Sequence, residues 1–162
     1  MPLSPSRAAG VLPPLLLCVF FLLRGLEAFA GSAKTLTRLH DPVVISASAL
    51  PGAMGRSTAG IVLYRVRNGR LEAMPYQFDA RDRSGNIDVA APRDFNLDDN
   101  DELVFMAKDT GDQADGATLA SAAGLEIEVN DPLDRGRGWA YLLPASTSIV
   151  GSPPAAYVRF DP

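Results

Sequence analysis

Along much of the chain, apolar residues recur at every second position. Val43, Ile45 and Ala47 alternate with Val44 and Ser46, and Val62, Tyr64 and Val66 alternate with Leu63, Arg65 and Arg67. Leu125, Ile127 and Val129 alternate with Glu126 and Glu128, and Val158 and Phe160 flank Arg159. Successive side chains of a strand point to opposite faces, so this period predicts half-buried strands. Leu103-Val104-Phe105-Met106-Ala107 is apolar on both faces, which predicts a central or doubly covered strand. Trp139 to Leu143 has the same character. The one helix candidate is the Ala-rich piece from Ala117 to Ala123, one or two turns long.

Arg67-Asn68-Gly69-Arg70 is the sharpest local signal. Asn-Gly suits a two-residue type I′ turn, which needs positive φ at both positions and matches the twist of the flanking strands. Such a turn sets Arg67 opposite Arg70, Val66 opposite Leu71 and Arg65 opposite Glu72. The last pair places opposite charges across the ladder, a favourable arrangement. The return strand ends near Pro75, which has no N–H for a ladder and belongs at an edge or bulge. With it there are seven strand candidates and almost no helix. The expectation is an all-β chain folded as an antiparallel β-sandwich, immunoglobulin-like in size, with a small β-barrel as the alternative.

The first thirty residues read as an export signal outside this pattern. Met1 to Arg7 carries one basic residue, Val11 to Leu23 is apolar apart from Pro13 and Pro14, and the stretch ends in Ala28-Phe29-Ala30. A basic start, a short apolar run and an A-x-A end describe a secretory signal peptide, and the run is too short to span a bilayer. Only Arg7 precedes the apolar run, so a twin-Arg signal is not expected, and Leu17 before Cys18 does not suit a lipoprotein. Residues 1–30 are therefore read as the signal peptide, cut after Ala30. Residues 31–162 are read as a single sandwich domain without a membrane span, periplasmic or secreted, as the N-terminal module of a longer protein.

Composition narrows the chemistry. The 162 residues are 47% hydrophobic and 21% charged, with a net charge of −4 and one Cys and one His. That is globular, and it lacks the basic footprint of a nucleic-acid binder. Removing the signal removes Cys18, so disulfides and thiolate metal sites are not expected. His40 lies in His40-Asp41-Pro42 ahead of the first strand, where a surface or turn role is expected. No Ser has a G-x-S-x-G context, and Leu50-Pro51-Gly52-Ala53-Met54-Gly55 lacks the Lys of a phosphate loop. A pair of carboxylates acting as acid and base stays open. Trp139, Tyr141, Tyr64, Tyr76 and Tyr157 form either a sugar-stacking platform or core. Arg65, Arg67 and Arg70 form either an anion site or a charged edge that deters strand pairing.

Charge is concentrated from Asp79 to Asp115, with eleven acidic and four basic residues. Within it Asp94, Asn96, Asp98, Asn100 and Glu102 fall at alternate positions, and so do Asp82, Ser84, Asn86 and Asp88 around Gly85. Calcium takes six to eight hard oxygens, and loops that wrap it often present carboxylate and amide oxygens at alternate residues. These nine residues are the candidate calcium ligands. Neither run is an EF-hand, because Asp99 stands where glycine is needed and Phe105 where the bidentate Glu is needed. The same side chains also bond their own backbone in turns, which accounts for such runs without a metal.

Pro75-Tyr76-Gln77-Phe78-Asp79 followed by Asn100-Asp101-Glu102-Leu103-Val104-Phe105 resembles β-rich modules of exported bacterial proteins. Some of these are attached to secreted polysaccharide enzymes such as rhamnogalacturonan-type lyases. The resemblance runs from Gly60 to Ala107 and implies an accessory domain. The D-G-D-G turn of the enzyme-associated modules is Asp98-Asp99-Asn100-Asp101 here, and no catalytic residue carries over. The expected function is a non-catalytic, exported module for binding or assembly, calcium-stabilised, with a protein or polysaccharide partner in the cell envelope. The alternative is a small polysaccharide-acting enzyme or a fragment of one.

Overall fold

A computed structural model describes residues 31–91, 95–116 and 124–145. Among them are seven strands: β1 (Pro42–Ser46), β2 (Ile61–Arg67), β3 (Arg70–Ala73), β4 (Gln77–Asp79), β5 (Glu102–Met106), β6 (Leu125–Asn130) and β7 (Arg137–Pro144). They form two antiparallel sheets, one of three strands in the order β1-β5-β4 and one of four in the order β3-β2-β7-β6. The sheets do not close on each other, so the architecture is the expected all-β sandwich and not the barrel. β5, apolar on both faces, is the central strand of its sheet. The expected strand around Val158 and the short helix at Ala117 to Ala123 lie outside the described residues.

β4 is the strand that alternation misses. Three residues are too few to show a period, and Pro75 marks a break just before them. Phe78 nevertheless turns inward, its ring edge-on to Tyr76 at 5.6 Å, and pairs with Leu103 across the ladder. The Tyr76 hydroxyl donates to the Ile61 carbonyl at 2.9 Å, tying this edge to the other sheet.

The sheets meet over one apolar interior. Leu103 and Phe105 of β5, with Val43 and Ile45 of β1, face Ile61 and Leu63 of β2, Ile127 of β6, and Ala140 and Leu142 of β7. The opposite face of the four-stranded sheet is also apolar. Tyr64, Val66, Trp139, Tyr141 and Leu143 are buried there with Val62, Leu71, Ala73 and Ala114 against them. β2 and β7 are thus covered on both sides, whereas Val44 on the outer face of β1 is 53% exposed.

A corner joins the sheets. After β5, a single 3-10 turn (Ala107–Asp109) carries the chain across, and Gly111 and Asp112 enter between the diverging ends of β2 and β7. Gly111 exchanges both backbone hydrogen bonds with Trp139, at 2.9 and 3.0 Å, and the Asp112 N–H donates to the Val66 carbonyl. At the inner end of β2, Arg65 reaches the same turn, its guanidinium donating to the Asp109 carbonyl.

The β2–β3 hairpin has the register read from its turn: Arg67 opposite Arg70, Val66 opposite Leu71 and Arg65 opposite Glu72. Asn68 and Gly69 take φ of 52° and 71°. An added Cβ at Gly69 meets nothing within 4 Å, so a side chain there is opposed by conformation alone. Gly69→Val is expected to destabilise the domain by more than about 1 kcal/mol, because a β-branched residue resists positive φ. Thermal melts check this, and an unchanged midpoint would refute the turn.

Candidate functional site: the acidic turns

β4 runs on into a tight turn. Arg81 pairs with Ile87, the Asp88 N–H donates to the Ala80 carbonyl, and Gly85 supplies the reversal with φ of 81°. Asp82 organises it. Its carboxylate accepts hydrogen bonds from the Ser84 N–H at 2.8 Å, the Asn86 N–H at 2.9 Å and the Asn86 side-chain amide at 3.2 Å. These bonds, those from Asn86 first, hold the Asp82 carboxyl below the ordinary carboxylate range. Asp88 in the same way accepts from the Ala90 N–H. The alternate spacing of Asp82, Ser84 and Asn86 is therefore used first to close the turn on itself.

The second run lies against the first. Asn96 pairs with Ser57, and the neighbouring Leu97 is buried in the interior. Asp98 accepts from the Asn100 N–H at 3.2 Å, and the Asn100 side-chain amide donates to the Asp82 carbonyl at 2.7 Å. Glu102 pairs with Arg81 at 2.6 Å. Asp94 lies outside the described residues. The fold thus brings Asp82, Asn100 and Glu102 to one end of the three-stranded sheet. Among the described residues, no three His, Cys, Asp or Glu side chains converge as ion ligands. One feature of the cluster does suit a cation: the Asn100 Oδ1 is buried and accepts no hydrogen bond.

Two residues that the alternation passes over hold the cluster together. Asp101 is only 2% exposed, and its two carboxylate oxygens accept from the Arg81 N–H at 2.9 Å and the Asp98 N–H at 2.8 Å. Its carbonyl accepts from the Ala47 N–H, so one residue joins both acidic turns to the end of β1. The second is Arg81, whose guanidinium donates to the Gly85 carbonyl at 2.7 Å and to Glu102. It puts a positive charge inside the acidic cluster, which lowers the mutual repulsion that its carboxylates would otherwise suffer. An Asp–x–x–Asp spacing was the only sequence trace of the first, and nothing local marked the second.

Among the described residues, the other buried carboxylate is committed too. Asp131, before the β6–β7 turn, accepts from the Arg38 guanidinium and the Leu133 N–H, and Arg38 also pairs with Asp41. These contacts, Arg38 foremost, hold its pKa below the ordinary range. Its stabilising effect is present above the unfolded carboxyl's pKa and is lost as pH falls through the folded value. His40 is exposed in the adjacent bend, as expected for a turn residue. Tyr64, Trp139 and Tyr141 are buried, so their rings serve as core and present no open platform. Arg65 and Arg67 both approach Glu72, at 3.7 and 4.0 Å, and charge the hairpin edge.

Comparison with protein-family models, curated proteins and solved structures finds no match to this chain. No helix among the described residues is long and apolar enough to cross a membrane.

Proposed function

We propose that the chain is an exported, non-catalytic β-sandwich module that engages a protein or polysaccharide of the cell envelope through its acidic end. The observation that carries this is the self-contained bonding of the acidic turns. Asp101 and Asp82 accept from backbone N–H groups and Glu102 pairs with Arg81, so these carboxylates are committed to holding the acidic turns in place. A general acid needs its pKa raised towards neutrality, whereas Asp82 and Asp131 are shifted the other way. Export is supported by the basic start, the short apolar run and the Ala28-Phe29-Ala30 end of the first thirty residues. Expression of the full chain in a bacterial host, with intact mass measured on the exported protein, is expected to show a start at Gly31. An intact Met1 or a lipid on Cys18 would refute cleavage after Ala30, and retention of the chain in the cytoplasm would refute export. Incubation with polyuronate polysaccharides is expected to release neither reducing ends nor unsaturated products, and release of either would favour the enzyme reading.

A second element of the proposal is that calcium stabilises the acidic turns, and the buried, unpartnered Asn100 Oδ1, on a residue bonded to both Asp98 and the Asp82 carbonyl, favours it. An ion that binds only the folded state adds RT ln(1 + [L]/Kd), about 2.7 kcal/mol at a hundredfold excess over Kd. Melts in millimolar calcium are expected to exceed those in chelator, and Asp98→Ala is expected to remove the difference. Equal melts would refute the site, and an equal response to magnesium would mark simple screening.

A further inference from the structure

β1 is an edge strand whose open side is bare. Its register with β5 runs from Pro42 opposite Met106 to Ser46 opposite Glu102 without a bulge, and it continues past both ends. The Ala47 N–H donates to the Asp101 carbonyl at 2.8 Å, and the Ala107 N–H donates to the Asp41 carbonyl at 3.0 Å. Hydrogen-bonded pairs alternate along an antiparallel ladder, so Asp41, Val43, Ile45 and Ala47 direct their backbone groups at β5. Pro42, Val44 and Ser46 therefore direct theirs outward. Among the described residues, none bonds the N–H or the carbonyl of Val44 or Ser46. The other edges carry protection that β1 lacks. β3 has Arg70 and Glu72, β6 has Glu126 and Glu128, and β4 is three residues long and ends in Asp79. Charge and shortness both deter strand pairing. β1 has five residues and no charge, Val44 is 53% exposed on its outer face, and Pro42 blocks only the first position. Val43 and Ile45 pack against the interior yet stay half-buried, because no strand flanks them on the open side.

We infer that β1 is a self-association edge: two copies of the chain pair β1 with β1, antiparallel about a two-fold axis at Val44, and their smaller sheets join into one. The outward groups are self-complementary in that register. Val44 exchanges both backbone bonds with its symmetry mate, and each Ser46 N–H meets the Pro42 carbonyl of the second copy. Pro42 has no N–H to offer, so sliding the register towards it forfeits bonds. On the outer face Val44 lies beside Val44, and on the inner face Val43 lies beside Ile45 of the second copy. Such β-branched cross-strand neighbours favour a ladder. Charge selects the antiparallel sense. The Ser46 end of β1 adjoins the acidic turns, where the Asp99 carbonyl accepts from the Ser46 hydroxyl and the Asp101 carbonyl from the Ala47 N–H. The other end adjoins Arg38, which is bonded to Asp41 and Asp131. The two-fold sets each acidic end beside the Arg38 end of the second copy, whereas a parallel pairing would bring the two acidic ends together. A ladder this short buries far less than the about 800 Å² a side of a standard interface, so the dimer is weak and dissociates on dilution. On the reading of the acidic end as the binding surface, the pair is bivalent and gains avidity for a repetitive partner.

The test is sedimentation equilibrium of the purified protein, expressed from the full sequence, over micromolar to millimolar concentrations. The average mass is expected to rise towards twice that of the monomer, and Val44→Pro is expected to abolish the rise. The Val44 N–H points away from β5, so proline there removes an intermolecular donor and leaves the β1–β5 ladder whole. Should Val44→Pro melt far below the wild type, Val44→Lys replaces it, because it sets two like charges at the axis. In a Cys18→Ser background, Val44→Cys is expected to form a disulfide-linked dimer on oxidation. The Cα atoms of a hydrogen-bonded pair stand about 5.5 Å apart, within disulfide reach. Val89→Cys, at a residue 94% exposed, is the collision control and is expected to stay unlinked. A mass that does not change with concentration overturns the inference, and so does a rise that survives the Val44 variants. Equal linking of the two cysteine variants overturns it as well. No polysaccharide or calcium enters these measurements, so they can fail while the proposed function stands.

Discussion

Gly111→Ala is expected to destabilise the domain by about 3 kcal/mol or more, at the upper end of overpacking effects. The added Cβ would stand 2.1 Å from the Val66 carbonyl oxygen and 2.9 Å from the Val66 nitrogen. Both are backbone atoms of β2 within a sheet, so no flexible side chain can swing away. Gly111 cannot retreat either, because it is bonded through both backbone groups to Trp139. Next to it, a Cβ on Gly138 would lie 2.3 Å from the Thr110 hydroxyl, and that hydroxyl is already donating to the Ala107 carbonyl. The corner that carries the chain from one sheet to the other is therefore packed backbone to backbone. Denaturant or thermal unfolding checks the loss, with Gly60→Ala as the control, since a Cβ there meets nothing within 4 Å. Equal midpoints for the two variants would refute the placement of residues 110–112 between β2 and β7.

Asp101→Ala is expected to cost about 2–4 kcal/mol, because it strips the acceptors from two amide donors, those of Arg81 and Asp98, at a buried position. The loss should be local in character. Hydrogen exchange at the Arg81 and Asp98 amides is expected to accelerate together, since one carboxylate protects both. Asp101→Asn is expected to recover part of the stability, as it keeps one acceptor oxygen but turns an NH₂ group towards the second donor. If alanine is tolerated, or if only one amide loses protection, Asp101 is not the link between the two turns.

Lys34 offers a contrast with these two sites. Its ammonium meets three carbonyls at the corner, and burial followed by the nearby Arg65 lowers its pKa. The ammonium thus caps three carbonyls of the corner against the cost of burial and the nearby Arg65.

What the sequence determined by itself was local. The alternation at Val43–Ala47, Val62–Arg67 and Leu125–Val129 identified strands because successive side chains of an extended backbone must face opposite ways. The Asn68-Gly69 turn set the hairpin register because positive φ at two adjacent residues permits only one connection of that length. The acidic runs were legible as turns, since Asp82 and Asp98 bond amides two to four residues ahead. Tertiary structure alone decided the rest. It recruited Gln77–Asp79 as the edge of the smaller sheet and buried both faces of β2, whose alternation predicted only one buried face. It also made Asp101 and Arg81, and not the alternating ligand set, the centre of the acidic cluster. Each of these rests on contacts between residues far apart in the chain, such as Arg81 with Asp101 or Gly111 with Val66. Side-chain period and turn chemistry carry no information about which distant backbone group will be brought within hydrogen-bonding reach.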